Sequence, residues 1–415
     1  MFRRNSERRD DNYDDQYYDG PERDWTTDRN GIVIQHTTHD QTKQDLEDSA
    51  QYDRRPPNGN GWKRNSFRNS QHESTPYQHV AQIDGQGSNL PTQSAPSSGQ
   101  LQIELQNQSN SSNVFAYITG QAINNGGALF LLEYDGKTPY YPTSPSSTGS
   151  ALQQNVSIKL GPPGTSIDCT IPYLAGGRIW FSIDKPLVFL LNPGPGLVEP
   201  SIYNQSDPNV STSFGFAEFT FNNAQLFANI SYVDFVGLPI ALALVDTDRH
   251  THSVSGLPSN GLQIIADGLR KQTARDGQNW SSLIVNGSSG QLLRILSPNS
   301  GILLNPSWFQ GYFATYVSQV YGKYAAQALT INTQAQWGDV QGISNGGGIN
   351  FGSGGNFVQP STADIFSCAS GPFATGSNAE ANTIIPRLAA AFNRSTLLLS
   401  ANQPVSTLRC SGIGR

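Results

Sequence analysis

From Leu101 onward the chain is written as short apolar runs broken by Gly, Pro, Asn and Ser: LQIEL, NVFAYIT, ALFLLEY, NVSIKL, RIWFSI, LVFLL, FGFAEFTF, NISYVDFV and IALALV. Runs of this length between turn residues are the mark of strands packed at close intervals. The first half of this region is therefore β-rich, and with no fixed-period repeat a sandwich or open barrel is expected rather than a propeller. Past about Gly256 the texture changes. Leu262, Ile265 and Leu269 recur at helical spacing behind Ser259 and Asn260, which predicts a helix to about Arg275. Further helices are expected over 306–324 and 378–394, accompanied by the strand-like pieces ALTINT, INFGSG and TLLLS. Residues 99–415 thus read as a β-rich unit (about 99–256, joined by the C-terminal strands) beside a mixed α/β unit. The helical parts of the latter fall at about 257–330 and 376–395, and a cleft is expected between the two units.

Residues 1–98 are a different kind of polymer. Of the 58 Asp, Glu, Lys and Arg side chains, 28 lie in the first 100 positions, whereas the 315 residues that follow carry 14 basic and 16 acidic ones. The only aliphatic cluster in the first segment is Ile32, Val33 and Ile34. Such a composition cannot bury enough surface to offset its ordering entropy, and a disordered tail is expected. Asp10, Asp11, Asp14 and Asp15 follow the early arginines where a secretory signal would carry its apolar stretch, so no signal peptide is expected. A net charge of −6 supplies no field for neutralising phosphates, which argues against nucleic-acid partners. No apolar run is long enough for a transmembrane helix.

Several catalytic chemistries can be set aside. Gly342-Ile343-Ser344-Asn345-Gly346 matches the G-x-S-x-G pattern of a nucleophile elbow, but no His follows it and a Gly-rich stretch stands where a helix is required. Asp246, Asp248, His250 and His252 form a short polar cluster after a strand, better read as a solvated turn than as a metal site. Gly136-Lys137-Thr138 resembles the end of a phosphate loop whose first glycine is replaced by Leu131. Neither a metal nor an organic cofactor is expected. Of the three cysteines, Cys368 and Cys410 are expected to form a disulfide, which across a loop of roughly 40 residues would contribute roughly 3–4 kcal/mol. Nine Asn-x-Ser sequons, among them Asn107, Asn155 and Asn209, all fall after residue 100, which suits a secreted protein.

Carboxylate chemistry remains. In SFGFAEFTFNN a period of two puts Phe214, Phe216, Glu218 and Thr220 on one face and Ala217, Phe219 and Phe221 on the other. In NISYVDFVGLPI the same reading groups Ile230, Tyr232, Asp234 and Val236. A carboxylate among such side chains costs several kcal/mol unless it is hydrogen-bonded, protonated or facing a wet cleft. Glycosidic cleavage needs such a pair: one acid to protonate the leaving oxygen, and one carboxylate to act as base or nucleophile. The structural alternative is a carboxylate that caps a backbone bend or pairs with an arginine such as Arg178.

The stretches RIWFSIDKPL (178–187), FGFAEFTFNN (214–223), ANISYVDFVGLPI (228–240), DIFSCASGP (364–372) and RLAAAFNRSTLL (387–398) resemble glycoside hydrolase family 64, the laminaripentaose-producing β-1,3-glucanases. The resemblance implies a thaumatin-like β-sandwich or barrel domain packed beside a mixed α/β domain, with the glucan in a wide groove between them. It also implies an inverting, endo-acting β-1,3-glucanase with Glu218 as general acid, Asp234 as general base, and Thr220 and Asn222 holding sugar. Trp180, Trp308 and Trp337 are further candidates for sugar contact. Work outside the cell on wall glucan is expected from the same resemblance, and a monomer is expected. The competing reading is a thaumatin-like protein that binds β-1,3-glucan without cutting it.

Overall fold

A computed structural model describes residues 99–245 and 250–399, together with the backbone of Ile32–Thr37. In chain order the strands that build the first unit are β1 (Ile32–Thr37), β2 (Gln100–Asn107), β3 (Val114–Ala122), β4 (Ala128–Leu132) and β5 (Pro139–Tyr140). They continue with β6 (Ser166–Pro172), β7 (Leu174–Ile183), β8 (Ser213–Phe221), β9 (Leu226–Ile230), β10 (Phe235–Val236), β11 (Ile240–Val245) and β12 (Thr251–Val254). One sheet runs β12-β11-β1-β2-β6 and the other β9-β8-β7-β3-β4-β5, with the short strand Ile158–Lys159 also on β3. β1 lies parallel to β11 and antiparallel to β2. The aliphatic cluster of the expected tail therefore forms part of a strand, while the rest of residues 1–98 lies outside the described residues.

The inward residues of these strands make a sandwich core. Leu101, Ile103 and Leu105 of β2 meet Ile118 of β3, Ile179 and Phe181 of β7, and Ala217 and Phe219 of β8, all of them buried. Gly177 is required here, because a Cβ at that position would stand 2.4 Å from the Phe219 ring. The other face of the larger sheet is also covered. Phe214 and Phe216 of β8, Trp180 of β7 and Tyr117 of β3 belong to a second core with Phe235 of β10, Ala266 of α1 (Gly261–Asp276), and Ile295 and Leu296 of β14. Here β13 is Ile284–Asn286 and β14 is Leu292–Leu296, and β10-β14-β13 form a small antiparallel sheet. A third core joins α3 (Ala314–Ala326) and α5 (Ala379–Asn393) to strands Leu329–Asn332, Ile349–Asn350 and Asn356–Phe357. Between these parts run α2 (Pro298–Leu304) and α4 (Thr362–Ser367). The chain is mainly β with helices gathered in its second half.

The sequence expectations hold for the helices at 261–276 and 379–393, the latter capped by the Asn378 side chain, which accepts from the Ala381 N–H. They fail elsewhere, and INFGSG, for one, leaves its strand after Asn350 for a 3-10 turn. The helix expected from Pro306 starts only at Ala314, because Phe309 and Gly311 adopt left-handed backbone (φ 58° and 71°), which an α-helix cannot contain. Of TLLLS, residues 396–399 form a turn and a bend rather than a strand, and Ser400 lies outside the described residues. NISYVDFV is split: β9 ends at Ile230, β10 begins at Phe235, and Asp234 sits in the bend between them.

Candidate active site

Along β8 the expected alternation is seen, with Ala217 and Phe219 in the sandwich core and Phe214 and Phe216 in the second core. The second face is aromatic. Trp180 lies 4.6 Å from Phe216 between ring centroids, and Phe235 lies 5.2 Å from Phe214 and 6.1 Å from Phe216. Glu218 stands on this same face one pleat beyond Phe216, where the rings give way to polar groups. Its cross-strand neighbours are Arg178 on β7 and Asn229 on β9.

The Arg178 guanidinium organises this end of the face. Its Nε and Nη2 each stand 3.2 Å from Glu218 Oε1, and Nη1 donates to Glu199 Oε2. The planar group also lies over Phe216 and Trp180, 5.2 and 5.6 Å from their centroids, which favours a cation. The arginine pairing named as the structural alternative is therefore present. It is not sealed, since the side chains of Arg178, Glu199 and Glu218 keep 31%, 33% and 36% of their exposure. Burial pushes the Glu199 carboxyl up, against the pull of Arg178 and with the charge of Glu218 adding to the rise.

Asp234 is held from another direction. Tyr203 Oη donates to Asp234 Oδ1 at 3.2 Å and lies 2.9 Å from Ser300 Oγ, while the Asp234 carbonyl accepts from Ser300 Oγ and the Ser297 N–H. Ser297 caps α2, accepting from the Ser300 N–H. Burial pushes the Tyr203 hydroxyl up to about 12, with Ser300 pulling it down and Asp234 adding to the rise. The phenol therefore remains a donor at neutral pH. Gly237 lets the bend approach β8, because a Cβ there would stand 2.2 Å from the Phe214 carbonyl oxygen.

Glu218 and Asp234 thus flank one aromatic cluster, the first following Phe216 in the pleat and the second preceding Phe235. The segment between Val198 and Ser213 reaches both, through Glu199 by way of Arg178 and through Tyr203 directly. Asp207, 7% exposed, shapes that segment by accepting from the N–H groups of Ser201 and Asn209. Sequence reasoning missed Glu199 and Tyr203, whose partners lie 21 and 31 positions away with no local pattern to announce them.

The other sequence candidates are distributed unevenly. Thr220 lies on the Glu218 face of β8, opposite Phe227 of β9. Asn222 falls just past β8, and its Oδ1 accepts from the Ala224 and Gln225 N–H groups, which closes the hairpin. Phe227, 44% exposed, is an aromatic surface that sequence reasoning missed; pairing the two strands in register would have found it. Trp180 is 2% exposed with its indole N–H on Thr119 Oγ1, so it is a core residue. Trp308 packs over Gly301, and Trp337 lies half-buried in the turn before strand Asp339–Ser344.

Ser344 of the G-x-S-x-G match ends a strand that turns into another strand, so there is no elbow. Gly136-Lys137-Thr138 wraps the Asp135 carboxylate, which would repel a phosphate. Among the described residues no group of three His, Cys, Asp or Glu is placed to hold a metal ion, and Asp246, Asp248 and Cys410 lie outside them. No described helix is long and apolar enough to cross a membrane. The sequon residues Asn107 and Asn209 are buried with their amides bonded inside, so the sequon count overstates the sites open to a glycan.

A profile of the β-1,3-glucanase family, glycoside hydrolase family 64, matches residues 99–410. A glucan endo-1,3-β-glucosidase of Cellulosimicrobium cellulans is 26% identical over 246 residues, 58% of this chain and 43% of that protein. The chain thus matches less than half the length of this curated relative. The crystal structure of a laminaripentaose-producing β-1,3-glucanase in complex with laminaritetraose superposes with a TM-score of 0.58 at 29% identity, covering 70% of this chain and 79% of that one. A β-1,3-glucanase domain from Clostridium beijerinckii shares the fold at 22% identity and a TM-score of 0.50, over 69% of this chain and 77% of its own.

Proposed function

The chain belongs to glycoside hydrolase family 64, the β-1,3-glucanases, and from that membership we propose that it hydrolyses β-1,3-glucan internally, releasing short oligosaccharides such as laminaripentaose. Glu218 is the general acid and gives its proton to the glycosidic oxygen as the C1–O bond breaks. Asp234 is the general base and takes a proton from the water whose oxygen bonds to C1 from the opposite side. Both products leave with hydroxyl groups, and the configuration at C1 inverts. The observation that carries this reading is that one segment, through Glu199 and Tyr203, braces both carboxylates around a single aromatic cluster. Inversion needs carboxyl groups about 6.5–9.5 Å apart, with room for that water.

In this reading the sandwich is the thaumatin-like unit and the sugar chain lies in a groove between it and the mixed unit. Thr220, Asn222 and Phe227 would hold sugar on the Glu218 face, with the Phe227 ring as a stacking surface. We also propose that the protein acts outside the cell as a monomer, with exposed sequons such as Asn155 and Asn286 in support. The Arg178–Glu218 pair favours a second reading, a protein that binds β-1,3-glucan and leaves it intact. Laminarin digestion separates the two. The expected result is release of short oligosaccharides, with the α-anomer first in proton NMR of fresh products, and loss of roughly 10²-fold or more in kcat for Glu218→Gln and for Asp234→Asn. Laminarin bound but uncut by the unaltered protein would favour the second reading; full activity in both variants would overturn the site.

A further inference from the structure

Two carboxylates share one guanidinium at the edge of the aromatic face. Glu199 Oε2 is bonded to Arg178 Nη1, while Glu218 Oε1 stands 3.2 Å from both Nε and Nη2. With both acids ionised the cluster would carry a net charge of minus one; a single proton makes it neutral, which a partly dehydrated site favours. One guanidinium thus serves two acids, and the reading of Glu218 as general acid assigns that proton to Glu218 and the charge of Arg178 to Glu199.

We propose that Glu199 is a positioning residue, which takes up the charge of Arg178 so that Glu218 keeps the proton it must donate. The inference rests on the reading of Glu218 as general acid. It answers a difficulty that reading carries: a guanidinium at hydrogen-bond distance favours the ionised form of an acid, and an ionised Glu218 could not protonate a leaving group. Glu199 removes the difficulty without displacing Arg178, which stays in place to orient the Glu218 carboxyl. Among the described residues, the ion-paired groups at Glu218 are Arg178 on β7 and, through it, Glu199 in the segment after Val198. Asn229 on β9 and Thr119 on β3, in line with Glu218 across the sheet, are neutral, while Asp234 and Tyr203 belong to the other half of the site. Burial pushes the Glu199 carboxyl up, Arg178 pulls it down, and the charge of Glu218 adds to the rise.

The test is the pH profile of kcat/KM on laminarin for the full chain, Glu199→Gln and Glu199→Asp. The alkaline limb reports loss of the general acid's proton and the acid limb reports the base. Glu199→Gln leaves the guanidinium charge to Glu218, so its alkaline limb is expected about one pH unit lower with the acid limb unmoved. Glu199→Asp keeps the charge, and its limb should return toward that of the unaltered enzyme. On a laminarioligoside with a nitrophenyl leaving group, which departs without protonation, Glu199→Gln should recover most of its rate. A limb position does not depend on how much enzyme is folded, so a partly unstable variant still answers. An unmoved limb in Glu199→Gln, or equal losses on both substrates, would overturn the role of Glu199 while leaving the hydrolase intact. Absence of any laminarin cleavage by the unaltered chain would instead overturn the functional reading beneath it.

Discussion

Tyr203 donates its phenolic hydroxyl to Asp234 Oδ1 across 3.2 Å, tying the segment that follows Val198 to the bend between β9 and β10. Its hydroxyl stays protonated because burial pushes it up to about 12. In the proposed role of Asp234 as general base its carboxylate must be held facing one water, and this bond would supply that orientation. Tyr203→Phe should lower kcat on laminarin about tenfold, the size of a hydrogen bond to a charged group, with KM nearly unchanged. Steady-state kinetics checks this, and an unchanged kcat would remove Tyr203 from the site.

Gly237 should not accept a side chain. The added Cβ would stand 2.2 Å from the Phe214 carbonyl oxygen and 3.2 Å from the Phe235 ring, so the bend bearing Asp234 must move away from β8. Gly237→Ala is expected to cost about 1–3 kcal/mol in urea unfolding and to reduce activity well below the unfolding midpoint. Equal stability and activity in the variant would mean that the bend absorbs the methyl group freely.

Phe227 offers a separation of binding from folding. It is 44% exposed and lies opposite Thr220 on the Glu218 face, so removing it empties no core. Phe227→Ala should raise KM for laminarin severalfold while changing stability by no more than about 0.5 kcal/mol, and Phe227→Trp should restore binding. A KM equal to that of the unaltered chain would exclude it as a sugar platform.

Asp364 makes acid stability testable. Its partial burial would raise the carboxyl, but hydrogen bonds from Ser370 and from the Ser361 backbone and hydroxyl outweigh it and hold the group below its ordinary value. A depressed acid stabilises the fold above its unfolded pKa, near 4, and loses that contribution as pH falls through the folded value. Asp364→Asn, which breaks the capping box of α4, should cost about 1 kcal/mol at pH 7. That gap should shrink below about pH 4 in thermal or urea melts. A gap independent of pH would assign the effect to packing.

Much of this was legible because it is local. The alternation in FGFAEFTF is seen in β8, and the spacing of Leu262, Ile265 and Leu269 in α1, since a strand or helix that buries one face must repeat with its own period. The misreadings have local limits too. The run from Pro306 has helical composition, yet left-handed backbone at Phe309 and Gly311 delays the helix to Ala314. The stretch around Asp234 has strand composition, yet its backbone leaves the ladder at Ile230 so that the Asp234 carbonyl can accept from Ser297 and Ser300.

By itself the sequence determined which two acids stand among aromatic residues, because an unpaired carboxylate is costly there and so stands out in a chain poor in charge. It named Arg178 only as one possible partner. That Arg178 is shared with Glu199, that Tyr203 holds Asp234, and that Phe227 lies beside Thr220 were decided by tertiary structure. The reason is physical: periodicity reports which side of an element is buried, whereas charge pairing falls off over a few ångströms and depends on which distant segments fold against that side.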